Sequence, residues 1–418
     1  MFSVVSMATA QAAPTAPPPG SWIVTLQDGA GVDTVARSVG AAVRSRFTQA
    51  LTAFSATLTE AQLARLEADP RVRSVTEDAV VAHVPRARRT SQAPPAPPST
   101  QFVPEGVRRV GAAVSPTARI DGVDQRLDAD IAVLDTGVDR THPDLNVTDS
   151  KDCTGEGITS DSFGHGTEVA GVAAARDNRI GTVGVAPGAR LWNVRIFGSN
   201  GEVTLSSLLC GIDYVRQNAG RIDTAVLAFG DEGTPDTLCG ISASRTGREK
   251  GRIKYAVVDP VDLALCRGTA AGVTFVASAG NDSTDARDYV PAAYPEVISV
   301  SAFTDTDGRR GGLGEPAFCY PTEQDDTFAS YSNFGRVVDL SAPGTCTYTT
   351  FPGNQYTTDF GTSFAAPHVA GAVALIKARN PAANPITTGT QLQVTKERGP
   401  IPGDPDGVPE GILNVSRF

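Results

Sequence analysis

Three segments of the chain carry side chains that could together break an acyl bond. Gly361-Thr-Ser-Phe-Ala-Ala-Pro-His-Val-Ala-Gly371 places Ser363 at the opening of a small-residue helix that runs on through Ala372-Val-Ala-Leu-Ile376. A hydroxyl there sits in the positive field of a helix N-terminus among free backbone N–H groups, a setting suited to a nucleophile whose attack makes an oxyanion. Ile131-Ala-Val-Leu-Asp-Thr-Gly137 reads as a buried strand that ends in the carboxylate of Asp135. Asp161-Ser-Phe-Gly-His-Gly-Thr167 presents His165 between two glycines, just ahead of the helical run Glu168-Val-Ala-Gly-Val-Ala-Ala-Ala175. The chain has only four histidines. Of the others, His142 lies in a His-Pro turn and His368 follows Ser363 on the same helix, so neither is as well placed to serve Ser363 as a base. Gly272-Val-Thr-Phe-Val-Ala-Ser-Ala-Gly-Asn281 is a further buried-strand pattern, ending in the amide of Asn281. Singly these are ordinary structural uses of Ser, Asp, His and Asn. In the order Asp135, His165, Ser363 they are the parts of nucleophilic acyl transfer.

On these segments the chain resembles the subtilases, the subtilisin-like serine proteases, whose triad runs in that order. The resemblance covers essentially residues 21–418. It implies Ser363 as nucleophile, His165 as general base, Asp135 as the carboxylate that orients the base, and Asn281 as an oxyanion donor beside the backbone N–H of Ser363. An esterase or lipase would carry Gly-x-Ser-x-Gly, which the Ser363 segment lacks. A catalytically inactive binding protein of the same fold is the rival reading, and the intact quartet speaks against it.

The resemblance implies more about the cleft. Ala228, Phe229 and Gly230, with Ala279 and Gly280, are expected to line the substrate and pair with it as an added strand. Ala225-Val-Leu-Ala-Phe-Gly-Asp231 stands where the family has Ser-Leu-Gly, so Phe229 is expected to alter the cleft's shape, with a broad apolar preference at S1. Glu168 and Phe364 are further departures, from a histidine and a methionine, and Glu232 to Lys254 reads as a polar insertion. Ala279 to Ala292 leans toward the proteinase K branch, where a cis bond stands at the place of Val290-Pro291. Structural Ca2+ is implied at two places. The first is a loop with Asp144, Asn178 and the carbonyls of Arg176, Ile180 and Thr182; the second is Asp339 with the carbonyls of Pro295 and Val297. Six cysteines all follow residue 150 and on their own leave every pairing open. The family resemblance implies Cys153–Cys210, Cys239–Cys266 and Cys319–Cys346.

These residues need a scaffold. From Phe102 onward apolar strands alternate with helix-length amphipathic runs, an α/β pattern with a mostly parallel sheet and helices on both faces. Ahead of this 102–418 peptidase domain, residues 21–84 read β-α-β-β-α-β: Trp22–Leu26, Val32–Val39, Ala42–Phe47, Phe54–Leu58, Glu60–Ala68 and Val72–Val75. That order is ferredoxin-like α+β. It resembles the inhibitor-type propeptide of subtilases, which implies a zymogen whose own propeptide is an intramolecular inhibitor. Thr76 to His83 would lie in the cleft, with the cut between Ala82 and Thr90. Residues 85–101 form a Pro/Arg-rich linker in which Arg86-Ala-Arg-Arg89 offers a dibasic pattern. Residues 1–20 combine an apolar segment with a proline-rich stretch. Met1–Ala13 has Ala-x-Ala sites and no basic start, resembling either the tail of a longer signal peptide or a short atypical one.

Composition fits a secreted hydrolase, and the resemblance implies a monomer acting on proteins and peptides. The net charge of −10 argues against nucleic acid as a partner, and no run of eighteen apolar residues suggests a membrane span.

Overall fold

The computed structural model describes residues 20–84, 100–233 and 259–418, together with Pro235, Thr237–Cys239 and Ile241–Ser242. The signal-like segment, most of the 85–101 linker with its dibasic pattern, and most of the polar insertion lie outside the described residues.

The first layer is a four-stranded antiparallel sheet in the order β2-β3-β1-β4, made from β1 (Ser21–Leu26), β2 (Val43–Phe47), β3 (Ala53–Thr57) and β4 (Val72–Glu77). Helices α1 (Val32–Val39) and α2 (Glu60–Glu67) complete the β-α-β-β-α-β order read from the sequence. Gly40 ends α1 in the left-handed region (φ 70°), and Thr59 opens α2 with a capping box to Gln62. Val24, Leu26, Val35, Phe54 and Leu66 form a core of its own beneath this sheet. A fifth strand, β5 (Val80–His83), leaves it and joins the larger unit.

There, after the short α3 (Glu105–Arg109), come β6 (Asp130–Asp135), β7 (Val147–Asp152), α4 (His165–Ala174), β8 (Arg190–Arg195), β9 (Glu202–Thr204), α5 (Leu205–Gln217) and β10 (Thr224–Leu227). Then follow β11 (Asp231–Glu232), the hairpin β12 (Thr237–Leu238) and β13 (Ile241–Ser242), α6 (Pro260–Ala270), β14 (Thr274–Ser278), β15 (Tyr289–Val290) and β16 (Val297–Thr304). The chain closes with β17 (Thr327–Phe328), β18 (Leu340–Pro343), the hairpin β19 (Thr347–Phe351) and β20 (Gln355–Asp359), α7 (Thr362–Arg379) and α8 (Pro385–Thr395). The main sheet runs β17-β16-β14-β10-β6-β8-β7, with β18 also on β16, and only β17 is antiparallel to its neighbour.

Helices cover both faces, which is why β6, β10 and β14 are buried along their whole length instead of alternating. One face meets α4 and α7, the other α5 and α6. The small residues of α7 let it sit close to its neighbours. A Cβ on Gly371 would come 2.7 Å from Val185 Cβ and 3.0 Å from the Ala173 carbonyl, so only glycine fits there.

Candidate active site

Parallel strands deliver their C-terminal ends to one edge, where open α/β sheets hold their clefts. Asp135 is the last residue of β6, His165 the first of α4, Ser363 the second of α7, and Asn281 follows β14. The imidazole Nδ1 of His165 lies 2.8 Å from Asp135 Oδ1 and 3.0 Å from Oδ2. Burial alone would push the His165 pKa down. The Asp135 charge and hydrogen bond, helped by Glu168 and Asp161, outweigh it and hold the ring up at about 9. Ser363 donates its hydroxyl to the Ala228 carbonyl at 2.7 Å, while His165 Nε2 has no hydrogen-bond partner.

Other groups hold this geometry, and several escaped the sequence reading. Asp161 accepts from the Thr136 hydroxyl (2.8 Å), from the N–H groups of Phe163 and Gly164, and from both the N–H and hydroxyl of Thr167. It thereby ties the end of β6 to the start of α4. Asn281 Oδ1 accepts from the Thr362 N–H at 2.8 Å and the Thr362 hydroxyl at 3.0 Å. With its oxygen so held, the amide has its NH2 end left to donate. Asn333 braces the Ala279–Thr284 turn, donating to the Ala279 carbonyl and accepting from the N–H groups of Asp282 and Thr284. Motifs flagged Ser363 and Asn281; only the serial Thr362-Ser363 adjacency could have flagged Thr362.

His165, Ser363, Asn281, Gly230 and Tyr289 line a cleft of about 250 Å³, and so does His83 from the N-terminal unit. His83 is there because β5 pairs antiparallel with β9, Ala82 opposite Val203 and His83 opposite Glu202, with Val84 N–H donating to Gly201 O at 2.8 Å. The N-terminal unit docks at two further points. Asp213 on α5 accepts the backbone N–H groups of Thr48, Gln49 and Ala50, at 3.3, 2.7 and 2.7 Å. Asp78 accepts the Ser206 N–H in the first turn of α5 (2.8 Å), where the helix dipole favours a carboxylate. Ile23, Phe47, Leu51 and Ala82 join the core beneath α5 and α6.

Residues 128–404 match the model of the subtilase family, and residues 9–83 match that of the peptidase inhibitor I9. The chain belongs to the subtilase family. It is 33% identical over 331 residues to an alkaline protease of Alkalihalobacillus alcalophilus, covering 79% of this chain and 70% of that one. Subtilisin BL of Lederbergia lenta is also 33% identical, over 296 residues, 71% of this chain and 91% of its own. Among solved structures, a cold-adapted subtilisin-like serine proteinase superposes with a TM-score of 0.56 at 26% identity, over 74% of this chain and 97% of that one. This subtilase is thus a serine protease carrying an inhibitor-type propeptide domain. No helix among the described residues is long and apolar enough to cross a membrane.

Further features of the subtilase can be set beside the sequence expectations. The cysteines pair Cys153–Cys210, Cys239–Cys266 and Cys319–Cys346, and the Val290–Pro291 bond is cis. Phe229 lines the cleft, although the residue is only 2% exposed and its ring packs edge-on against Phe197 at 5.4 Å. Gly230 is hemmed in, its carbonyl accepting from the Tyr289 hydroxyl at 2.9 Å. His142 and His368 are both pushed down by burial, His368 to about 4, which leaves it neutral and bonded to the Phe364 carbonyl.

At the two candidate calcium positions the carboxylates are buried or half-buried and meet protein donors. Asp144 is buried but answered by donors: Asn178 Nδ2 reaches Oδ1 at 2.7 Å, and the Thr182 N–H and Tyr356 hydroxyl reach Oδ2 at 3.0 and 2.8 Å. Asn178 turns its oxygen to the Ile180 N–H instead. A hard cation needs oxygens at that place. Asp339 accepts the Ser299 N–H at 3.0 Å, but burial outweighs that bond and the nearby Lys396 charge and pushes its carboxyl up.

Proposed function

We propose that this subtilase is a secreted endopeptidase made as a self-cleaving zymogen, with Ser363, His165, Asp135 and Asn281 as its catalytic groups. The observation that carries the reading is the seat of β5. The chain's own tail lies antiparallel on β9 and leads His83 into the cleft that Ser363 and His165 line. That is the pose of a substrate strand. Three disulfides are in keeping with an oxidising compartment.

The chemistry follows from the groups in place. Rotation of the Ser363 hydroxyl away from the Ala228 carbonyl brings it to His165 Nε2, which takes its proton as the oxygen attacks the scissile carbonyl. Asp135 holds the imidazolium so formed. The Ala228 carbonyl, released by Ser363, then accepts an N–H of the substrate. Negative charge on the tetrahedral oxygen meets the Asn281 NH2 group and the Ser363 N–H at the mouth of α7, donors already fixed before the reaction. His165 returns the proton to the leaving amine, and water attacks the acyl-enzyme by the same route. No step calls on a metal ion.

After the cut, the tail remains as a product strand, clamped by Asp213 and Asp78, until the N-terminal unit is degraded. Full-length Ser363→Ala protein, purified away from other proteases, should stay uncut, whereas wild type separates into two pieces. Cutting of the mutant at the wild-type rate would remove Ser363 from the role. A fluorophosphonate label on wild type but not on the mutant separates a working nucleophile from an inert scaffold.

A further inference from the structure

Strand β16 and the antiparallel β17 close the base of a long loop, residues 305–326, with Phe303 opposite Phe328 and Thr304 opposite Thr327. That register places Asp305 at the loop's entry against Asp325 and Asp326 at its exit. One ligand oxygen each of Asp305, Asp307 and Asp325 falls within 4.8 Å of the others. Oxygens that close can share one calcium ion, whose bonds are about 2.4 Å long. The carboxylates are held in place by the loop backbone. Asp325 accepts the N–H groups of Thr306 and Gly314 at 2.8 Å each, Asp305 Oδ2 that of Gly308 at 3.0 Å, and Asp307 that of Arg309 at 2.8 Å.

A second observation points to a cation here. Asp305 is 4% exposed, yet its Oδ1 is buried with no hydrogen-bond partner. The nearest positive group, Arg109 Nε, stands 3.7 Å away, and that guanidinium donates to Asp326 at 2.9 Å and Glu397 at 3.0 Å. A buried carboxylate oxygen with no hydrogen bond, met only by the shared Arg109 charge at 3.7 Å, carries a desolvation cost that a metal ion would reduce. Asp307 is half-buried, so water can complete the shell on its side.

We propose that Asp305, Asp307 and Asp325 form a calcium site, separate from the Asp144 and Asp339 positions. The loop it would anchor bears on the cleft. Cys319 within it is bonded to Cys346, and Tyr320 packs edge-on to Phe360 at 4.9 Å, a residue that lines the same cleft as Ser363. The ion would hold that wall rigid and shield the glycine-rich stretch Gly311-Gly-Leu-Gly314 from cutting.

The test is calcium titration by calorimetry on full-length Ser363→Ala protein stripped with EDTA, compared with the same protein carrying Asp307→Asn, Asp305→Asn or Asp144→Asn. Binding should weaken at least tenfold in Asp307→Asn, vanish in Asp305→Asn and be unchanged in Asp144→Asn. Added calcium should also slow trypsin cutting at Arg309 and Arg310 in the parent and not in Asp305→Asn. The proposal falls if the parent takes up no calcium, or if Asp307→Asn binds with the parent's affinity and stoichiometry. Asp307 is half-buried and its substitution mild, so this second comparison decides even if Asp305→Asn fails to fold.

Discussion

Asp213→Ala should release the propeptide domain while leaving catalysis alone. Asp213 sits on α5, outside the cleft lining, and its carboxylate receives three backbone N–H groups of residues 48–50. A hydrogen bond to a charged group is worth about 1.5–3 kcal/mol when both partners lose water. The Thr48 and Gln49 donors are exposed and regain water in the mutant, so each counts for a few tenths of that range; the Ala50 donor is part-buried and counts for about 2 kcal/mol. The sum is about 3 kcal/mol, roughly a 100-fold rise in inhibition constant at 1.4 kcal/mol per decade. Asp213→Asn keeps one acceptor without the charge and should land near a tenfold rise on the same scale. The assay is inhibition of the mature enzyme by added 20–84 domain, read with a small chromogenic peptide. Turnover of that peptide without inhibitor should match wild type. A change in inhibition constant below about threefold, or a parallel loss of turnover, would refute the clamp, since the first denies the hydrogen bonds and the second moves Asp213 into the active site.

Thr362→Val removes the hydroxyl that steadies Asn281 and should lower kcat about tenfold with little change in KM, because the donor acts on the transition state; Thr362→Ser should restore it, and a KM effect instead would mean Thr362 merely shapes the pocket. Activity should rise with pH to a midpoint above the ordinary histidine value of 6.5 and toward 9, since His165 must be neutral to act and Asp135 keeps it charged; a midpoint at or below 6.5 in kcat/KM would contradict this. The same ion pair has a raised folded-state pKa, so its contribution to stability is complete below pH 6.5 and lost as pH climbs through about 9. Asp135→Asn should flatten that part of the melting-temperature profile. Opening Cys153–Cys210, whose ends are 57 residues apart, should cost about 4 kcal/mol on the chain-entropy model, read as a lower urea midpoint in Cys153→Ser/Cys210→Ser.

How far the sequence could be read depended on how local each cause was. Asp135, His165, Ser363 and Asn281 each stand in a short segment whose pattern of small and apolar residues declares a strand end or a helix start. Helices and strands alternated plainly enough for the layered fold to follow. Asp213 gave no such sign. It is one more carboxylate on an amphipathic helix, and its partners lie more than 160 residues away. The surroundings of Asp144 were hidden for the same reason. Asp144 and Asn178 describe a possible cage, yet Tyr356, which donates its hydroxyl to Asp144, is 212 residues distant in the β19–β20 hairpin. Phe229 likewise stands in the expected segment, but its packing against Phe197 in the same core is not written there.

Asp305 and Asp325 show the other side of that dependence. Nineteen residues of loop lie between them, and nothing in Asp-Thr-Asp or Gln-Asp-Asp marks a pair. They meet because β17 turns back antiparallel on β16 and fixes their register. An acidic loop free in water would spread such charges apart. Here the ladder holds them together and burial leaves one oxygen with no hydrogen bond, so the electrostatic cost falls on the base of the loop. If an ion offsets it, the loop's stability becomes dependent on calcium while the triad, braced by Asp161 and Thr362 on separate elements, does not. Calcium depletion should therefore expose the Gly311–Gly314 stretch to proteolysis before it changes the initial rate on a small peptide.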